Sequence, residues 1–181
     1  MERKQFHILL GVLAAGSLTA FLLFQILKMV QRQEGNRDLS AHALASFQPV
    51  GETQRPAVLG KPTLLIHFLP DCHFCQNEAK ALGENLTLFQ DVRLILISSA
   101  SPSSLRDFAR EFGLSQQPDI HLLHDSERRF ADFFGTRAVP AVFIYDAKGR
   151  LQKKYRGETK IETILSHLNP STHEAIMEET R

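Results

Sequence analysis

Two cysteines, Cys72 and Cys75, are the only ones in the chain, and they stand in a C-x-x-C pair directly after the apolar run Thr63 to Leu69. Behind the pair, Gln76 to Leu88 reads as a helix, because Cys75, Ala79, Leu82 and Leu86 recur at i, i+4, i+7 and i+11, one face of a 3.6-residue period. A strand feeding a helix whose first turn carries C-x-x-C is the setting that makes this motif redox-active. At that position the first cysteine meets the unpaired N–H groups and the positive end of the helix dipole, both of which favour a thiolate. The second lies one turn in, close enough to close a Cys72–Cys75 disulfide but shielded from substrates. His73 between them adds to the thiolate's stability when charged, and Asp71 opposes it.

Two other readings of the pair stand beside this one. C-x-x-C is half of a four-ligand zinc site, which needs a second Cys or His pair at suitable spacing. The chain has no second C-x-x-C, and His121, His124 and His167 do not form an H-x3–5-H pattern, so no metal site is expected. The pair could also form an inert structural disulfide. Charge adds an exclusion: 21 Lys and Arg nearly balance 20 Asp and Glu, which gives no bulk electrostatic case for nucleic acid.

Ile8 to Leu27 carries no charge, and Arg3 and Lys4 precede it. Its length matches the ~20 residues that cross a bilayer as a helix. A cleavable signal peptide competes, but its apolar core spans only roughly 7–15 residues and ends in a small-x-small site. Here the run continues through Phe21-Leu22-Leu23-Phe24 to Lys28. An uncleaved anchor is therefore expected over residues 1–30. Lysines and arginines flank both ends, so their count does not orient the span. A thiol enzyme has most use on the oxidising side, which places the N-terminus in the cytoplasm and the rest outside the inner membrane, in the periplasm or its equivalent.

Residues 31–55 read as a polar tether with one short helix over Asp38 to Ser46, and residues 171–181 as a charged tail. Between them, 56–170 alternates strand and helix. Strands are expected at Thr63 to Leu69, Val92 to Ser98, Ile120 to His124, Ala141 to Tyr145 and Leu151 to Arg156. Helices are expected from Ser101-Pro102 to Phe112, over Ser126 to Phe134 and over Ile161 to Leu168. This is an α/β pattern: a mainly parallel sheet, a closing antiparallel hairpin through Asp146-Ala147-Lys148-Gly149, and helices on both faces.

Pro140 stands just before the Ala141 to Tyr145 strand, where a proline needs a reason. With it the set is complete: Lys61-Pro62 before the first strand, Cys72-His73-Phe74-Cys75, Glu78, Phe133-Phe134-Gly135-Thr136-Arg137, Val139-Pro140, and the hairpin closing at Gly157. In that order and spacing the chain resembles thioredoxin-fold proteins, and within them the membrane-anchored TlpA/ResA-like thiol–disulfide oxidoreductases. The resemblance covers Lys61 to Leu168. It implies that Pro140 is cis and lies against the active-site pair, and that Val139, with His73 and Phe74, meets the bound substrate. It also implies that Glu78 moves protons to and from Cys75, the resolving cysteine. Catalytic residues would then be Cys72, Cys75 and Glu78, with the redox-active disulfide as the only prosthetic chemistry. Partners would be protein dithiols or disulfides of exported proteins, such as apocytochromes or metalloproteins, and a membrane-embedded redox partner.

The family usually has Trp before the first cysteine and Pro before the second, where this chain has Asp71 and Phe74. A competing class is a Sco-like copper chaperone with the two thiolates and His121 or His124 as ligands, but that family spaces its cysteines C-x-x-x-C. A peroxiredoxin needs P-x-x-x-T-x-x-C, which is absent. His67 interrupts the apolar Thr63 to Leu69 run and has two readings, facing the far side of the sheet or approaching the cysteines.

Overall fold

A computed structural model of the chain describes residues 16–28, 38–51, 55–115 and 119–168. The chain divides into two units. In the first, residues 16–28 are helical, and Leu22, Leu23 and Phe24 are exposed. Among the described residues no helix is long and apolar enough to cross a membrane. The first half of the expected span, the tether over 31–37 and 52–54 and the tail over 171–181 lie outside the described residues.

The second unit is the α/β domain. Its elements are α1 (Ala41–Ala45), β1 (Gln48–Pro49), β2 (Thr63–His67), α2 (His73–Glu84), β3 (Arg93–Ser98), α3 (Pro102–Glu111), β4 (Ile120–His124), α4 (Phe130–Phe134), β5 (Ala141–Tyr145), β6 (Leu151–Arg156) and α5 (Ile161–Leu168). They build one six-stranded sheet in the order β1-β4-β3-β2-β5-β6. The β2–β3 and β3–β4 pairs are parallel, and β2–β5, β5–β6 and β1–β4 are antiparallel. β2, β3 and β5 are buried along their whole length, which is why each reads as a continuous apolar run.

Alternation along the strands feeds two cores. Leu64, Ile66, Leu94, Leu96, Val142 and Ile144 face one side, where they meet Cys75, Ala79 and Leu82 of α2, Phe108 of α3 and Ile164 of α5. Leu65, Ile95, Ile97 and Phe143 face the other, where they meet Phe47, Phe130 and Phe134. On the first side α2 runs so close to the end of α3 that a Cβ on Gly83 would overlap the Phe112 carbonyl oxygen.

Several boundaries differ from the expectation, four of them in ways that bear on the site or the domain's edge. The tether does not reach residue 55: Leu39, Ala43, Leu44, Phe47 and Val50 are buried in the domain, and β1 pairs with β4. Two residues are too few to show a period, so β1 carries no local signal. The helix behind the cysteines spans His73–Glu84, not Gln76 to Leu88. Asn85 ends it, its Nδ2 donating to Ala81 O at 2.8 Å, and a 3-10 turn over Leu86–Phe89 follows. The first strand stops at His67, two residues early. The fourth helix begins at Phe130 rather than Ser126, because Asp125 caps it: its carboxylate accepts from the N–H of Arg129 at 2.8 Å and of Phe130 at 2.9 Å. Arg128 is left-handed (φ 54°) and breaks the helical run before it.

Candidate active site

β2 is the central strand, and where it ends the chain turns through Pro70 and Asp71 into α2. Cys72 is the N-cap of that helix: its Sγ accepts the N–H of Cys75 at 3.3 Å. A sulfur in this position takes the place of the Ser, Thr or Asp oxygen that satisfies a free helix N–H. Both cysteines are free thiols; Cys72 is half-buried and Cys75 only 2 % exposed. Burial pushes the Cys75 thiol far up, and its hydrogen bond with Cys72 adds to the rise.

Facing the pair is the loop before β5. The Val139–Pro140 peptide bond is cis, as the resemblance implies. Cys72 Sγ lies 3.9 Å from Val139 O, and the Gly157 N–H donates to Pro140 O at 2.8 Å. His73 and Phe74 are exposed on the first turn of α2, Phe74 by 59 % of its surface. Cys72 therefore meets the Val139 carbonyl, with Cys75 buried behind it, Pro140 buried next to Val139 in the loop, and His73 and Phe74 exposed on the first turn of α2.

Glu78 stands one turn beyond Cys75 on the buried face of α2, 3 % exposed. Burial pushes its carboxyl up to about 8. The Thr159 N–H, donating to Oε1 at 3.1 Å, pulls the other way, and the charge of Glu158 adds to the rise. Its second oxygen, Oε2, is buried without a hydrogen-bond partner. A carboxyl held there exchanges its proton near neutral pH, close to a thiol that burial keeps protonated. Thr159 is the member that sequence reasoning misses: it lies 81 positions from Glu78 and bonds through its backbone, so its side chain gives no signal.

His67 takes the first of its two readings. Its ring stacks on Phe130 in the second core at 3.9 Å and 8°, and its Nδ1 donates to Ala138 O at 3.0 Å as the neutral tautomer. It braces the residue before Val139 from behind. Its interruption of an apolar strand was the available signal. The copper ligands offered from sequence are not brought to the sulfurs. His121 alternates with Ile120 and Leu122 onto the face opposite Cys75, and β3 separates β4 from β2. Among the described residues no three His, Cys, Asp or Glu side chains are grouped to hold a metal.

Known proteins share this architecture. A family model described as AhpC/TSA family matches residues 43–154. Thiol-disulfide oxidoreductase YkuV of Bacillus subtilis (strain 168) is 24 % identical over 127 residues, covering 66 % of this chain and 83 % of that protein. Among solved structures, MTB dsbF in its mixed oxidized and reduced forms aligns with a TM-score of 0.54 at 22 % identity, over 62 % of this chain and 82 % of that one. A reduced 2-Cys peroxiredoxin of Plasmodium vivax aligns with a TM-score of 0.52 at 19 % identity, over 64 % and 68 %. The two structures establish the fold.

Proposed function

The chain belongs to the AhpC/TSA family, and from that premise we propose that it is a protein thiol–disulfide oxidoreductase working by dithiol exchange at Cys72 and Cys75. One observation carries this reading: Cys72 Sγ caps α2 and faces the cis Val139–Pro140 loop, with a second, buried thiol one turn behind it. Reduction proceeds in two steps. The Cys72 thiolate attacks one sulfur of a substrate disulfide; the S–S bond breaks, the departing sulfur takes a proton, and a mixed disulfide remains. Cys75 then gives up its proton, with Glu78 as the acceptor when ionised, and attacks Cys72 Sγ. The second substrate thiol leaves, and the Cys72–Cys75 disulfide closes.

One structural neighbour is a peroxiredoxin, but Leu65 and Leu69 stand where P-x-x-x-T-x-x-C places Pro and Thr before Cys72. The name of YkuV supports exchange as the chemistry. The reducing direction is supported by Cys75 and Glu78. Neither stabilises charge on the reduced pair, whereas a strong oxidant owes its potential to a stabilised reduced form. Cysteine pairs of exported proteins, apocytochromes or other metalloproteins among them, are the proposed substrates, with a membrane-embedded donor resetting the active site.

The proposed setting is an uncleaved single-pass anchor in the inner membrane, N-terminus in the cytoplasm and the thiol domain outside. It is supported by the uncharged run from Ile8 to Leu27 and by the exposed apolar side chains of the 16–28 helix. Insulin reduction by the full chain tests the chemistry: Cys72→Ser is expected to abolish it, and Cys75→Ser to stall as mixed disulfides. Activity surviving Cys72→Ser would overturn the reading. Labelling of Cys72 in intact cells by a membrane-impermeant maleimide, once periplasmic access is opened, tests the placement; protection until lysis would contradict it.

A further inference from the structure

Behind the Val139 loop lies a cavity of about 560 Å³ at the C-terminal ends of β2, β3 and β4. Its size falls in the range of ligand sites, roughly 300–1,000 Å³. His67, Ser99, Phe130 and Val139 line it together with two arginines, Arg128 and Arg137. Val139 is shared: one of its atoms is the carbonyl oxygen beside Cys72 Sγ, so the cavity adjoins the point of exchange.

The lining charges are unbalanced. Arg128 and Arg137 are exposed, and no ion pair among the described residues includes either; those pairs join Lys61 to Asp119, Arg110 to Asp107, Arg129 to Glu127 and Arg150 to Asp146. One carboxylate also lines the cavity, Asp125, whose two oxygens each accept one N–H, from Arg129 and Phe130. The Thr136 hydroxyl is likewise engaged, accepting the Ala138 N–H at 3.2 Å, and His67 Nδ1 is held by Ala138 O. The two guanidiniums thus outnumber the one carboxylate of the lining, and neither is ion-paired to it among the described residues. Arg128 presents one of them from a left-handed backbone, which residues other than glycine seldom adopt.

We propose that this cavity is a carboxylate subsite, in which Arg128 and Arg137 grip an acidic group carried within about two residues of the cysteine being exchanged. The planar fork of a guanidinium matches a carboxylate with two parallel hydrogen bonds. An extended segment lying along Val139 advances about 3.3 Å per residue, so a side chain one or two places from its cysteine reaches the cavity while its sulfur meets Cys72. Two carriers have this chemistry: an Asp or Glu in a substrate chain, and the carboxylates of a small disulfide such as glutathione disulfide. The proposal rests on the exchange reading above and adds to it a preference among substrates.

The test pairs two disulfide peptides, identical except for Glu or Gln on both sides of one cysteine, with glutathione disulfide as a third substrate of the full chain. The wild type is expected to reduce the Glu peptide with a kcat/KM roughly 5- to 10-fold higher at low salt, the scale of two partly exposed charge pairs. Arg128→Gln with Arg137→Gln is expected to bring that ratio to about 1 while leaving the Gln peptide unchanged. An arginine-dependent advantage confined to glutathione disulfide assigns the site to the small carrier. A wild-type ratio near 1 for every acidic substrate, a ratio that persists in the double variant, or equal slowing of both peptides overturns the proposal. Cysteine-free copies of the peptides, titrated by fluorescence anisotropy, read the subsite without any exchange. If neither peptide is reduced, the exchange reading fails; tighter, arginine-dependent binding of the Glu copy then still supports the subsite, and equal binding removes it.

Discussion

Glu78 carries the sharpest consequence of the structure for a single residue. Burial raises its carboxyl from the ordinary value of 4.5 to about 8, so between those values the folded protein holds a proton that the unfolded chain has released. Its contribution to stability is therefore fully present below about pH 4.5 and is lost as pH rises through about 8. Glu78→Gln stays neutral throughout and is expected to shrink the drop in melting temperature between pH 6 and pH 9. His67 has the reverse sign: burial lowers its pKa below 6.5, against the pull of Ala138 O and Asp125, so the stability it contributes is lost as pH falls below that value. In catalysis, the ionised fraction of Glu78 grows through pH 8, and the rate of mixed-disulfide resolution should grow with it. Glu78→Gln is expected to slow that step by about 100-fold, the low end of what a positioned acid or base supplies, and to flatten its pH profile in rapid-quench experiments. An unchanged profile would take Glu78 out of the proton path. Position i+3 from Cys75 made this residue visible in the sequence; its burial and the Thr159 N–H were not visible, because both depend on the approach to α5.

Among the elements, the longer strands and the starts of α3 and α5 were legible, and the starts of α2 and α4 were not. β4, β5, β6 and α5 span the residues expected of them, and β2 and β3 differ only at one end; strands buried on both faces, as β2, β3 and β5 are, are written as unbroken apolar runs. α4 was misread because Ser126 offers a better local cap than Arg129, while the true cap is Asp125, one residue further back and folded over the turn at Arg128. α1 and β1 are held from outside themselves: Phe47, fully buried, packs against Phe130, Phe133 and Phe134 at ring distances of 5.8–6.4 Å. Phe47→Ala is accordingly expected to destabilise the domain by about 3–5 kcal/mol in urea unfolding. A loss below 1 kcal/mol would return this stretch to the tether. Gly83→Ala, which would press a methyl onto the Phe112 carbonyl, is expected to lower stability even though alanine is the better helix former.

At the scale of the molecule, the sheet order gathers one surface from distant parts of the chain. β2 delivers Cys72 and Cys75, its antiparallel neighbour β5 delivers the Val139–Pro140 loop, and the entry to α5 delivers Thr159 beneath Glu78. The motif residues of this surface were legible because cysteine and proline carry their chemistry in their identity. The cavity behind Val139 was not, since arginines 128 and 137 look like ordinary surface charge until the fold places them on one rim. The central claim is that Cys72 and Cys75 cycle between dithiol and disulfide. Equilibration of the full chain against graded redox buffers, with both thiols counted, tests it most directly. The expected result is one two-electron transition near thioredoxin's potential, about −270 mV, which disappears in Cys72→Ser. Two thiols that remain free across the whole range would contradict the account.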